Sequence, residues 1–131
     1  MTKNKITLDV EMLRSLTLNK YIDTERRNRY AGAKLKRLGT NYARNVFLQA
    51  LVDGITFEWP CKLKFDWYLP DRRIDPDNWS FTRKFILDGM QTAKTRGRVF
   101  LQNDNMQNIK GFDEDFYLDK SNPRLEIYAI R

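Results

Sequence analysis

From Cys61 to Leu69 the chain reads CKLKFDWYL, with Leu63, Phe65, Trp67 and Leu69 alternating against Lys62, Lys64, Asp66 and Tyr68. A period of two sustained over a whole segment predicts a strand with one buried face. KITLDVEML, from Lys5, sets Ile6, Leu8 and Val10 against Thr7 and Asp9 and predicts a second such strand. TLNKYID then turns the chain, with Asp23 or Thr24 as a helix cap. From there to Val52 the apolar positions Leu35, Leu38, Tyr42, Val46 and Ala50 recur at three- and four-residue steps, and Gly54 closes the region. Gly39-Thr40 leaves open whether this is one helix or two.

A further helix is predicted from Asn78 to Ala93, its stripe formed by Trp79, Phe85, Ile86, Met90 and Ala93. KTRGRVFLQNDN reads as a basic connection. MQNIKGFDEDFYLD reads as a strand with room for a turn at Gly111, and RLEIYAIR as a last strand after the break at Asn122-Pro123. The order β-α-β-α-β-β predicts an α+β (α/β) fold: a single domain over residues 1–131, with a small mixed sheet packed with helices.

Composition narrows the chemistry. Cys61 is the only cysteine and histidine is absent, which removes internal disulfides, Cys/His zinc sites and His-based triads together. Acid–base or metal chemistry must then rest on carboxylates and lysines, and hard oxygen ligands suit Mg²⁺ or Mn²⁺. No apolar run reaches the roughly 20 residues of a spanning helix, and Asp9 and Glu11 interrupt any signal-peptide core, so the expectation is a cytoplasmic protein without membrane contact.

The net charge is +7 and it is unevenly spread. Between Arg26 and Arg44 stand Arg26, Arg27, Arg29, Lys34, Lys36, Arg37 and Arg44 with no acid among them, whereas DEDFYLD, from Asp113, is acidic. A one-sided basic segment suits a polyanion such as nucleic acid. A solvated helix face explains the same run equally well.

The stretch DRRIDPDNWSFTRK, Asp71 to Lys84, follows directly on the predicted strand. In its structural reading Asp75 caps a helix, Pro76 takes the first helical position and Asp77 favours the positive helix end. In its functional reading Pro76 holds Asp75 extended, so that Asp75 and Asp77 project to one side and share a divalent cation with a third acid. Asp104, in LQNDNMQNI, is the candidate third acid, or else a turn residue. A continuous helix from Asp77 would place Lys84 and Asp88 on the same stripe, with Lys84 and Asp88 as an i, i+4 pair.

Taken together and in this order, R-R-I-D-P-D-N, K-F-I-L-D-G-M and N-D-N resemble the RusA family of Holliday-junction resolvases, over roughly residues 71 to 109. The resemblance implies a crossover junction endodeoxyribonuclease of DNA recombination and repair: a small Mg²⁺-dependent homodimer, bacterial or carried by phages and prophages, acting on four-way or branched DNA. It implies Asp75, Asp77 and Asp104 as metal-binding catalytic carboxylates, Lys84 as the catalytic lysine, and Asn78 and Asp88 as supporting residues. Asn19, in LNKY, would approach DNA. Arg26, Arg27, Arg29, Lys34, Lys36 and Arg37, with Arg72, Arg73, Lys94, Arg96 and Arg98, would grip the junction arms. Two rivals share the basic surface: a non-catalytic DNA- or RNA-binding protein, and a metal-dependent nuclease of other specificity.

Overall fold

A computed structural model describes residues 4–131. They run β1 (Ile6–Leu8), α1 (Val10–Leu13), a 3₁₀ turn (Arg14–Leu16), α2 (Leu18–Arg27), α3 (Arg29–Val52), β2 (Cys61–Leu69), α4 (Pro76–Ser80), α5 (Arg83–Thr92), β3 (Lys94–Thr95), β4 (Arg98–Val99), β5 (Ile109–Leu118) and β6 (Arg124–Ile130). The main sheet has the order β1-β6-β2-β5, and β3 and β4 form a separate hairpin. β2 pairs antiparallel with β6 and parallel with β5. A parallel pair needs a crossover connection, which α4 and α5 supply. The result is an α+β fold with the expected element order, to which the small hairpin is added.

The alternation in β2 becomes burial. Leu63, Phe65 and Trp67 are fully buried and lie beside Leu125, Ile127 and Leu8 on one face of the sheet. Phe47 of α3 and Phe85, Ile86 and Met90 of α5 join them in one core. The two helices touch closely at Gly89, where a Cβ would stand 2.5 Å from that of Ala43 and 2.7 Å from the backbone nitrogen of Arg44. No helix among the described residues is long and apolar enough to cross a membrane.

Several expectations shift. The first strand stops at Leu8 because the Asp9 carboxylate accepts the N–H of Glu11 at 2.9 Å and starts a helix, from which Val10 and Leu13 still reach the core. The stretch expected to turn is instead α2. The cap of the long helix is not Asp23 or Thr24 but Asn28, whose Oδ1 accepts the N–H of Tyr30 at 2.8 Å and of Ala31 at 3.3 Å. α3 runs unbroken through Gly39-Thr40; glycine is needed there for room, since Leu16 packs where a side chain would stand.

The helix expected from Asn78 to Ala93 begins earlier, at Pro76, and is broken at Phe81-Thr82. There the Thr82 N–H and hydroxyl both donate to the Trp79 carbonyl, at 2.9 and 2.7 Å, tightening the turn to a 3₁₀ pattern. Gly111 makes no turn and lies inside β5; the irregularity is a register shift at Cys61/Lys62 on the facing strand. The basic connection after α5 contains the β3–β4 hairpin, whose two central residues Arg96 and Gly97 both have positive φ, +50° and +76°.

Candidate active site

The segment after β2 leaves the sheet at the carboxyl end of the parallel pair, where crossover folds commonly place ligands. Asp75 is extended (φ −71°, ψ 154°) and stands at the N-cap of α4, with Pro76 first in the helix. Of the structural reading, Pro76 in the first helical position and Asp77 in the first turn hold, and Asp75 occupies the N-cap position, but its carboxylate makes no capping hydrogen bond. Asp77 is in the first turn of α4, so the two acids are set by a helix start and not by an extended strand. Both are exposed, and neither enters an ion pair with any described residue. Beside them a cleft of about 420 Å³ opens between Asp71, Arg72, Ile74 and Asp75 on one side and Phe116, Tyr117 and Leu118 of β5 on the other. Asp71 holds its own loop, accepting the N–H of Arg73 at 2.9 Å.

Asn78 is buried, and its Oδ1 accepts the backbone N–H of Asn19 at 3.0 Å. Thr17, at the N-cap of α2, makes no side-chain cap. Asn78 thus caps α2 from 59 residues away in sequence and fastens that helix to the carboxylate segment. Asn19 is held there by its backbone, which leaves its own side chain exposed.

Lys84 is exposed on the first turn of α5. The expected stripe from Asp77 through Lys84 to Asp88 requires one continuous helix, and the break at Phe81-Thr82 interrupts it, each 3₁₀ residue turning the chain by about 20° more than an α-helical one. Lys84 and Asp88 form no ion pair. Asp104 lies elsewhere: its N–H donates to Gln91 Oε1 at 3.4 Å, at the far end of α5. The helical path from Asp77 to Gln91 is about 20 Å. Among the described residues no three acidic or thiol side chains gather into one group that could hold a metal ion, so Asp75 and Asp77 stand as a pair.

The basic residues fall in two separate places. Arg26, Arg27 and Arg29 crowd the corner at Asn28, followed along α3 by Lys34, Lys36 and Arg37; all six are exposed and none is in an ion pair with a described residue. Lys94 and Arg96 sit on the hairpin, and Arg98 donates to the Leu51 carbonyl at 3.3 Å, tying the hairpin to the end of α3. Arg29 and Leu51 are about 33 Å apart along α3. Arg72 is exposed and pairs with no described residue, while Arg73 reaches Asp71 only at 4.0 Å.

Three features escaped the sequence reading. Tyr30 is 86% exposed in the middle of the basic corner; its signal was an aromatic inside RRNRYAGAK. A polar cleft of about 460 Å³ between α3 and α5 brings Lys36, Arg37, Thr40 and Asn41 against Asp88, Gln91 and Thr92. Glu114 accepts hydrogen bonds from Trp67 Nε1 at 2.9 Å, Ser80 at 2.7 Å and Arg83 at 2.5 Å, and so clamps α4 and α5 to β5. No sequence pattern pointed to that clamp, because its members come from four separate elements, β2, α4, α5 and β5. No family model matches the chain, and no curated protein matches it in sequence.

Proposed function

We propose that the protein is a Mg²⁺-dependent endodeoxyribonuclease for branched DNA, of the Holliday-junction resolvase type, acting as a homodimer with one site per copy. The observation that carries this reading is the pair Asp75 and Asp77: exposed, ion-paired with no described residue, and fastened by Asn78 to the helix that leads to the exposed cations. Along α2 the distance from Asn19 to Arg27 is about 12 Å, within reach of phosphates flanking the one being cut.

The donor set fits the ion. Mg²⁺ keeps several waters and is commonly held by one or two carboxylates together with substrate phosphates, and two open carboxylates provide that. When bound, the ion would lower the pKa of water and offset charge on the phosphate. Asp75 and Asp77 would hold it against the strand end, and Arg72 would meet a phosphate at the cleft. Lys84, from the first turn of α5, would neutralise charge on the leaving oxygen. The reading rests on Asp75 and Asp77 and does not require Asp104. The two basic regions, one at each end of α3, would hold different arms of a junction, and exposed Tyr30 offers a ring on which an unpaired base can stack.

A comparison of four-way, flap and linear DNA with Mg²⁺ tests the specificity: paired nicks in the four-way substrate are expected, and equal cutting of all three would leave a nuclease of other specificity. One observation favours a non-catalytic binder, namely that Asp75-Pro76 and Asn78 each already serve a helix start. Mn²⁺ titration separates the two. Selective broadening of Asp75 and Asp77 resonances belongs to the enzyme, and no response at either belongs to the binder.

A further inference from the structure

The helices of the core pack on one face of the main sheet, and the other face is made mostly of polar and aromatic side chains, with Ile130 beside Lys62 at one end. Its bases are Lys5, Lys62, Lys64 and Arg124. Its acids are Asp66, Asp113, Asp115 and Glu126. Charge therefore cancels on this face of a chain that carries +7. Most of these ions are already paired within the chain: Lys64 with Asp66 at 2.8 Å and with Asp115, Lys5 with Glu126 at 3.3 Å, and Arg124 with Glu126 at 2.9 Å. Tyr68 stacks on Tyr117 with centroids 5.1 Å apart, and Arg124 lies 3.9 Å over the Tyr68 ring.

A surface without net charge is a poor track for a polyanion, whereas tyrosine and arginine with satisfied charges are typical of protein interfaces. Two ions on the face pair with no described residue, and they are of opposite sign: Lys62 and Asp113, both exposed. In a two-fold arrangement the same patch meets itself, so one such pair is made twice.

We propose that this open sheet face is where two copies of the chain associate, face to face, with Lys62 of each copy meeting the partner's Asp113. The proposal takes from the preceding reading only the two-copy arrangement and names the surface that makes it. The four strands, of 3, 7, 9 and 10 residues, at about 3.3 Å per residue and about 4.8 Å apart, present about 460 Å² per copy, or about 900 Å² in total, the size of a small interface. The alternative of joining the free edges of β5 is disfavoured. Antiparallel pairing there would set Asp113, Glu114 and Asp115 against the same residues of the partner, and like charges directly opposite are destabilising. Stacking by the neutral face also keeps the basic helices of the two copies on the outside.

Sedimentation equilibrium of the full chain, without DNA or added metal, tests this. A species of twice the 15.7 kDa chain mass is expected. Lys62→Glu or Asp113→Lys alone should raise the dimer Kd about tenfold, because each turns two attractions into repulsions. The double variant Lys62→Glu/Asp113→Lys should return to within about threefold of wild type. Arg37→Glu, on α3, should leave the mass unchanged, and circular dichroism melts establish that each variant folds. A monomer at all concentrations, a dimer indifferent to both single swaps, or a double variant no better than the singles would each overturn the proposal. Since the measurement contains no DNA, its failure leaves junction cleavage untouched, and failure of cleavage leaves the dimer face untouched.

Discussion

Replacing Asn78 by alanine should destabilise the fold through α2. The substitution removes the Oδ1 that receives the Asn19 N–H at 3.0 Å, at a helix start whose own N-cap residue contributes no side chain. Loss of a cap costs about 1 kcal/mol, and the truncation of a side chain only 8% exposed brings the total to about 1–2 kcal/mol. For 131 residues the unfolding entropy near the midpoint is about 0.28 kcal/mol/K, so about 1.5 kcal/mol lowers Tm by about 5 °C. Asn78→Asp keeps the acceptor oxygen, sets a negative charge at the positive start of α2, and should recover most of that loss. Thermal unfolding followed by circular dichroism reads both variants. A Tm for Asn78→Ala within about 1 °C of wild type, combined with lost metal response, would refute the capping role and make Asn78 a residue of the site itself.

Gly89→Ala should lower Tm by several degrees more than Gly97→Ala, as measured in the same melts. The first drives a Cβ to 2.5 Å from Ala43 at a helix–helix contact, for about 1–3 kcal/mol, whereas the second meets nothing within 4 Å and costs only left-handed strain. Lys36→Glu/Arg37→Glu, at the mouth of the polar cleft between α3 and α5, should weaken DNA binding regardless of sequence. If each cation meets one phosphate, it should also reduce the slope of log K against log salt by about 1.8 in fluorescence anisotropy titrations. Burial pushes the Glu126 carboxyl up, but hydrogen bonds from Arg124 and Lys5 outweigh it and hold the group below its ordinary 4.5. A carboxyl depressed in the folded state contributes stability above the unfolded value and loses it as pH falls through the folded one. Glu126→Gln should therefore flatten the acid limb of a urea-stability profile below about pH 4.5, and an unchanged limb would contradict the assignment.

Much of this fold was legible where one local rule governed. The period of two from Cys61 to Leu69 became β2 with its faces as expected, because a central strand with one buried face has no alternative register for Phe65 and Trp67. The N-terminal segment was misjudged because Ile6, Leu8 and Val10 alternate as a strand does, while the deciding interaction was the Asp9 carboxylate on the Glu11 N–H. A helix start at Asp75-Pro76 is one of the two readings the sequence allows and is where α4 begins, whereas the break at Thr82 leaves no mark in the sequence, since its cause is a threonine hydroxyl turned back on Trp79. That break parts Asp77 from the stripe, while Lys84 and Asp88 stay one turn apart on α5. Asp104 was out of reach of sequence reasoning for a topological reason. β5 runs parallel to β2, so the loop before β5 lies at the opposite end of the sheet from the loop after β2. Spacing along the chain carries no information about such a crossing.

The central claim is that Asp75 belongs to a hydrolytic site. Its most direct test is cleavage of a synthetic four-way junction with Mg²⁺ by wild type and Asp75→Asn, with junction binding measured alongside. The account predicts paired nicks from wild type, loss of cutting by about 10²-fold or more in the variant, and binding at least as tight, since a negative charge has been removed from a surface that meets phosphates. Wild-type protein that binds the junction without nicking it, or a variant that cuts as well as wild type, would contradict it.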